Sequence, residues 1–266
     1  MSRLRKCVVR LCVMILLSGL RGWTEAPLSS PDPTDPYVKA LLSALTGLVD
    51  GNLIQVRHTL ELLAQCPDVQ SGEWEKMRGL VRAAAKSDLL QVTWFAFPDG
   101  AYCTSEQGPV AQKINDRSYF PTLMAGQEVL GDLVISKSTG KKSIVAAVPV
   151  RRNGQVIGAV GASIFVDDLS RALNNTLKTP DDLVFYGLSP GGLTVFHLNP
   201  KLDFDDPRAQ KSETLKKAAE KILAEKSGEV TYEYNQTTRR MFFTTSPLTG
   251  WRIVLGRILG PASTRT

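Results

Sequence analysis

The chain carries little of the chemistry that makes or breaks bonds. Its only imidazoles are His58 and His197, and nothing in the sequence places either beside a nucleophile. There is no Gly-x-Ser-x-Gly elbow, no phosphate-cradling glycine loop with its lysine, and no His/Cys spacing suited to zinc. Gly158-x-x-Gly161 follows an Asn-Gly turn inside an apolar run, so close backbone packing within a strand explains it better than dinucleotide binding. The carboxylates Asp167, Asp168, Asp181 and Asp182 suit helix caps and solvated turns. The expectation is a non-enzyme without cofactor or metal. What remains is recognition. Asp116-Arg117-Ser118-Tyr119-Phe120 gathers a guanidinium and two aromatic rings into one short segment. As a binding element it would offer charge and walls; as a structural one, Arg117 pairs with Asp116 or a neighbouring acid while Tyr119 and Phe120 fill the core. Ser136, Lys137 and Ser143 stand near apolar strands as further donors or as solvated strand residues.

These residues need a scaffold, and the periodicities supply one. Val38, Leu41, Leu42, Leu45, Leu48, Val49, Leu53, Val56, Leu60 and Leu63 fall at three- and four-residue spacing, which predicts a long amphipathic helix. Asp50-Gly51-Asn52 marks a kink or break in it. A second helical stretch covers roughly residues 72–85. From Gln91 the pattern turns to two-residue alternation: QVTWFAF, the turn Pro98-Asp99-Gly100, then AYCTS, which form a hairpin signal. An excursion carrying Asp116–Phe120 comes next. KKSIVAAVPV and QVIGAVGASIFV then flank Asn153-Gly154, a type I′ turn pair. Past Asp182 a similar order repeats: DLVFYGL, LTVFHL, a helix over residues 212–226, GEVTYEYN, RRMFFTTSPL and WRIVLGRI. The fold class is therefore α+β, a long N-terminal helix followed by two tandem modules with antiparallel sheets. The helices occupy residues 37–90, the first module 91–168, the second 169–258, and a tail 259–266.

The composition of the 266 residues, 43% hydrophobic and 22% charged, is that of a globular protein. The net charge of +6 is concentrated at the start, where Arg3, Arg5, Lys6, Arg10 and Arg21 face only Glu25. The nearly neutral remainder lacks the basic stripe of a phosphate-backbone binder, which argues against nucleic acid as a partner. Residues 1–26 have a basic start, an apolar core from Leu11 to Leu17 and a Thr24-x-Ala26 end, so they are expected to be a cleaved secretory signal before an extended lead-in at 27–36. The apolar run is short for a membrane span. In an exported chain Cys66 and Cys103 permit one disulfide, stapling the helical region to the first sheet; two unpaired, partly buried thiols are the equal alternative.

The order of these landmarks resembles the extracytoplasmic double-Cache (PAS-like) sensor domains. FAFPDGAYCTS is similar to their aspartate-glycine first hairpin and DRSYF to their Arg-x-aromatic-aromatic element. SKSTGKKSIVAAVPV resembles their strand ending in Ala-x-Pro-Val, NGQVIGAVGASI their Gly-rich return strand, and SGEVTYEY with SPLTGWRIV their closing strands. The likeness spans about residues 37–258. It implies two Cache modules, the first closing a curved sheet over a small metabolite with residues 116–120 as lid. Arg117 would pair bidentately with a ligand carboxylate, Tyr119 and Phe120 would wall the pocket, and Ser163 and Lys137 would add donors. His197 stands where the family often has a hairpin histidine, and Trp251 reads as a core anchor. Amino-acid-binding members carry a Tyr five residues before the arginine, a Trp-Tyr pair after it, a further downstream Tyr, and an Asp on the return strand. Here stand Gln112, Tyr119-Phe120, no Tyr between Tyr119 and Tyr186, and Ser163. The resemblance therefore implies a small organic carboxylate without an obligatory ammonium. The chain ends about eight residues past the last strand, so a standalone periplasmic or secreted protein acting through a membrane-bound signalling partner is expected. The rival reading is an interaction module without a ligand, whose helical stripe from Val38 to Leu63 pairs with a second copy or with a membrane sensor; the resemblance also implies that a homodimer along that helix can coexist with ligand binding.

Overall fold

The computed structural model describes residues 35–85 and 92–261; the expected signal and nearly all of the lead-in lie outside them. The long helix is α1 (Asp35–Gln65), followed by α2 (Pro67–Gln70) and α3 (Trp74–Ala84). It runs unbroken through Asp50-Gly51-Asn52. The break expected there does not occur because Asp50 is held: its carboxylate accepts a 2.6 Å hydrogen bond from Ser246 Oγ, and buried Val49 and Leu53 anchor the turns on either side.

The first sheet is formed by β1 (Val92–Ala96), β2 (Tyr102–Thr104), β3 (Gly108–Val110), β4 (Val129–Ile135), β5 (Lys142–Arg152) and β6 (Gln155–Phe165), in the order β3-β2-β1-β6-β5-β4. Between β3 and β4 lies the short helix α4 (Phe120–Met124). After α5 (Val166–Leu177), the second sheet contains β7 (Leu183–Leu188), β8 (Thr194–His197), β9 (Ser227–Tyr234), β10 (Thr237–Thr245) and β11 (Arg252–Pro261), in the order β8-β7-β11-β10-β9. Two 3-10 turns, Pro200–Leu202 and Pro207–Ala209, and α6 (Glu213–Ala224) connect β8 to β9. Apart from β3, the second sheet repeats the strand order of the first.

The Asn153-Gly154 pair closes the β5–β6 hairpin with φ of 53° and 81°, as an I′ turn requires. Neither β3 nor β4 is legible as a strand before the structure is seen. In β4 the alternation breaks at a bulge between Leu130 and Asp132, where Gly131 takes φ of 99°, so VLGDLVI does not read as a strand.

The apolar stripe of α1 is buried within the chain. Val38, Leu45, Val49, Leu53, Val56 and Leu60 join one core with the inner faces of both sheets, through Phe95, Ile144 and Val160 of the first and Phe185, Phe242 and Ile253 of the second. This corrects the reading in which the stripe pairs with a second copy: those side chains already cover two sheets. The outer face of each sheet carries its own smaller cluster. The expected staple is also corrected, since both cysteines are free. Cys66 Sγ lies 3.4 Å from the Leu62 carbonyl as a donor at the end of α1, and Cys103 is buried on β2 opposite Phe95. No helix among the described residues is long and apolar enough to cross a membrane.

Candidate functional site

The aspartate-glycine hairpin does more than turn the chain. Asp99 accepts the Ala101 N–H at 3.0 Å with one carboxylate oxygen and the Lys113 ammonium at 2.6 Å with the other. These bonds, the lysine's first, hold its carboxyl below the ordinary range. The Gly100 carbonyl accepts the Ile114 N–H at 2.9 Å. A Cβ at Gly100 would stand 2.6 Å from the Asn115 Cβ, so only glycine lets segment 111–119 settle onto the hairpin. Arg117 N–H to the Ile114 carbonyl and Phe120 N–H to the Arg117 carbonyl, both 3.0 Å, then coil the segment into α4.

The β4–β5 loop pins the same segment from the other side. Lys137 Nζ donates to both oxygens of Asp116 at 2.7 Å and to the Lys113 carbonyl at 2.6 Å. Arg117 Nη2 donates to the Ile135 carbonyl at 2.7 Å. Asp116 thus belongs to Lys137, and no carboxylate is ion-paired with Arg117 among the described residues.

Beneath this segment, on the outer face of the first sheet, is a small, partly open cavity of about 20 Å³. Arg117, Tyr119, Lys137 and Ser163 all line it, joined by Trp94 of β1 and Tyr102 of β2. Phe120 does not; it packs in the apolar cluster around Tyr119 and Leu123. Lys137 reaches the cavity with its ammonium already engaged. Ser136 also lines it, whereas Ser143, fully buried, donates to the Lys141 carbonyl at 3.1 Å. Burial pushes the Tyr119 phenol up to about 12, opposed by the nearby Arg117 charge, so the hydroxyl is a permanent donor at physiological pH.

Trp94 and Tyr102 were not singled out from the sequence, because only strand pairing shows that they share the face of Ser163. Trp94 sits opposite Gly161 in the β1–β6 register, and its ring occupies the space that a Cβ there would need. Asp132 was missed for the same reason as β4: the bulge at Gly131 turns it to the face of Val145. It is half-buried, burial raises its carboxyl, and its charge is felt by Tyr119. A cavity of about 20 Å³ is little larger than one water needs.

Among the described residues no three or more His, Cys, Asp or Glu side chains are grouped to hold a metal. The arrangement is one of donors and aromatic walls.

The Cache domain family profile matches residues 37–258. No curated protein sequence matches the chain. Among solved structures, the extracellular ligand binding receptor from Desulfohalobium retbaense superposes with a TM-score of 0.70 at 15% identity, over 84% of this chain. This chain covers 40% of that receptor's length. The ligand-binding domain of the Pseudomonas fluorescens chemoreceptor CtaA in complex with L-alanine gives 0.67 at 18% identity, covering 86% of this chain and 98% of that one. The sensory domain of the Campylobacter jejuni chemoreceptor Tlp3 with isoleucine bound gives 0.62 at 14% identity, over 86% and 98%.

Proposed function

The chain belongs to the Cache domain family, and from that premise we propose that its first module is an extracytoplasmic receptor site for a small carboxylate-bearing metabolite, anchored by Arg117. The observation that carries this reading is the state of the guanidinium. It lines a small cavity, is held in place by one carbonyl, and has no acid partner among the described residues. A planar fork so placed suits a carboxylate bidentately. Trp94, Tyr102 and Tyr119 would wall the ligand's body, and Tyr119 would donate to it.

The similar chemoreceptor domains hold L-alanine and isoleucine, both carboxylates. The expected ligand differs in not needing its ammonium, because Ser163 occupies the return-strand position. Binding rather than catalysis is the proposed activity. Ligand arrival moves segment 111–119, and an exported chain would pass that change to a membrane-bound signalling partner.

Propionate and L-alanine differ by the ammonium alone, so calorimetric titration of both tests the reading. Propionate should bind at least as well as L-alanine, and Arg117→Ala should weaken it by about ten- to hundredfold, the loss of a charge-assisted pair of about 1.5–3 kcal/mol. Unchanged affinity in Arg117→Ala would remove that residue from the site. Binding of L-alanine alone would assign the ammonium to Asp132.

A further inference from the structure

We propose that the second module holds its own binding site for a small monocarboxylate, built around Arg239. The site occupies the place in the second sheet that the first cavity occupies in the first. Both sheets share one strand order, and both cavities lie on the outer face, across the first hairpin, under the segment that follows it. Here the covering segment holds the two 3-10 turns. It is tied to β8 by Thr194 N–H to the Asp205 carbonyl at 2.9 Å and Phe204 N–H to the Thr194 carbonyl at 2.8 Å. The cavity, partly open like the first, has a volume of about 40 Å³, against about 20 Å³ in the first module.

The lining is assembled for an anion. Arg239 lies over the Tyr234 ring, 4.9 Å from its centroid, and its Nε has only a long 3.4 Å contact with Thr237 Oγ1. Of the other arginines of this sheet, Arg240 is engaged by Glu229, Arg257 by Asp182 and Arg252 by four backbone carbonyls, whereas Arg239 has no ion pair among the described residues. Asp205 stands exposed among the lining residues without pairing with it.

Two phenols add buried donors. Tyr186 and Tyr232 are 5% and 3% exposed; their hydroxyls meet at 3.5 Å, too long for a strong bond, and the Tyr232 hydroxyl is also within reach of the Arg239 guanidinium. His197, stacked on Tyr186 at 5.7 Å, accepts the Asn199 N–H at 2.7 Å on Nδ1. Its proton therefore sits on Nε2 as one more donor. Burial, with the Arg239 charge adding to it, holds the His197 pKa down to about 4, so the ring is neutral at physiological pH. One guanidinium, neutral donors and aromatic walls in a small space match a single carboxylate with a short body. A phosphate dianion would require more positive charge.

His197 and His58 are the chain's only histidines, so the His197 imidazole resonance, identified by comparison with His58→Gln, reports on this cavity alone. The titration uses propionate in the Arg117→Ala background, which silences the first module and separates this proposal from that one. The expected result is a saturable His197 shift, weakened about ten- to hundredfold by adding Arg239→Met. Methylammonium should leave the resonance unmoved. No saturable shift with propionate, equal affinity in Arg239→Met, or saturation by methylammonium would each overturn the proposal. If Arg239→Met does not fold by circular dichroism, Arg239→Lys decides: loss of the planar fork should weaken propionate several-fold, and unchanged affinity would count against Arg239.

Discussion

Lys137 has engaged its ammonium before any ligand arrives. Its hydrogen bonds go to both oxygens of Asp116 and to the Lys113 carbonyl, and they hold the Asp116 carboxyl below its ordinary range. Arg117, next in sequence to Asp116, keeps most of its donors free for a ligand. The two cations on this segment therefore have different jobs, a strap and an anchor. Lys137→Gln and Asp116→Asn should weaken propionate to the same modest extent, with the double variant no weaker than either single one, because both cut one strap. Calorimetric titration of the three variants checks this. A larger loss for Lys137→Gln than for Asp116→Asn would instead put the ammonium on the ligand. The melting temperature should move little, since the Asp116 end of the pair is solvent-exposed.

Within the first sheet, close packing makes the cavity what it is. Trp94 lies across Gly161 in the β1–β6 register, so the ring becomes part of the cavity wall. Gly161→Ala should drive the ring off its seat and cost about 1–3 kcal/mol by overpacking, read from urea unfolding. No change in stability would show that the ring is not seated there. Elements made by local chemistry were legible in the sequence. The long helix follows from its stripe, and the hairpins at Asp99-Gly100 and Asn153-Gly154 from their turn residues. Elements shaped by distant contacts were not. Gly131 tolerates the β4 bulge partly because a Cβ there would come within 3.0 Å of the Trp251 ring, a second-module residue. Likewise Asn235 and Gln236 close the β9–β10 hairpin at φ of 48° and 60° without glycine. The candidate site was half legible for the same reason: Arg117 and Tyr119 stand in one motif, whereas Trp94 and Tyr102 join them only through strand pairing, and Asp132 comes near Tyr119 only through a bulge.

Across the whole molecule the modules are joined by more than α1. Lys142 of β5 donates from Nζ to the backbone carbonyl of Asp203, in the covering segment of the second cavity. Asp203 itself is fully buried, and neither of its carboxylate oxygens has a hydrogen-bond partner. Burial, with the Asp167 charge adding to it, pushes its pKa up to about 7 from 3.8. Between those values the native state keeps a proton that the unfolded chain has released, so this group's contribution to stability falls as pH rises through that window. Asp203→Asn stays neutral throughout. It should be more stable than the parent by on the order of 1–3 kcal/mol near pH 8, the gain shrinking toward zero near pH 4. Denaturant melts across pH check both the size and the sign. The central claim, however, is that Arg117 makes the first module a carboxylate receptor. Its most direct test is the thermal shift caused by propionate in the parent and in Arg117→Ala, both carrying Arg239→Met so that only the first cavity responds. At a hundred times its dissociation constant the ligand should stabilise the Arg117-containing protein by about 2.7 kcal/mol, and at the same concentration Arg117→Ala should lose about half of that gain or more. An equal shift in both proteins, or none in either across small carboxylates, would contradict the account.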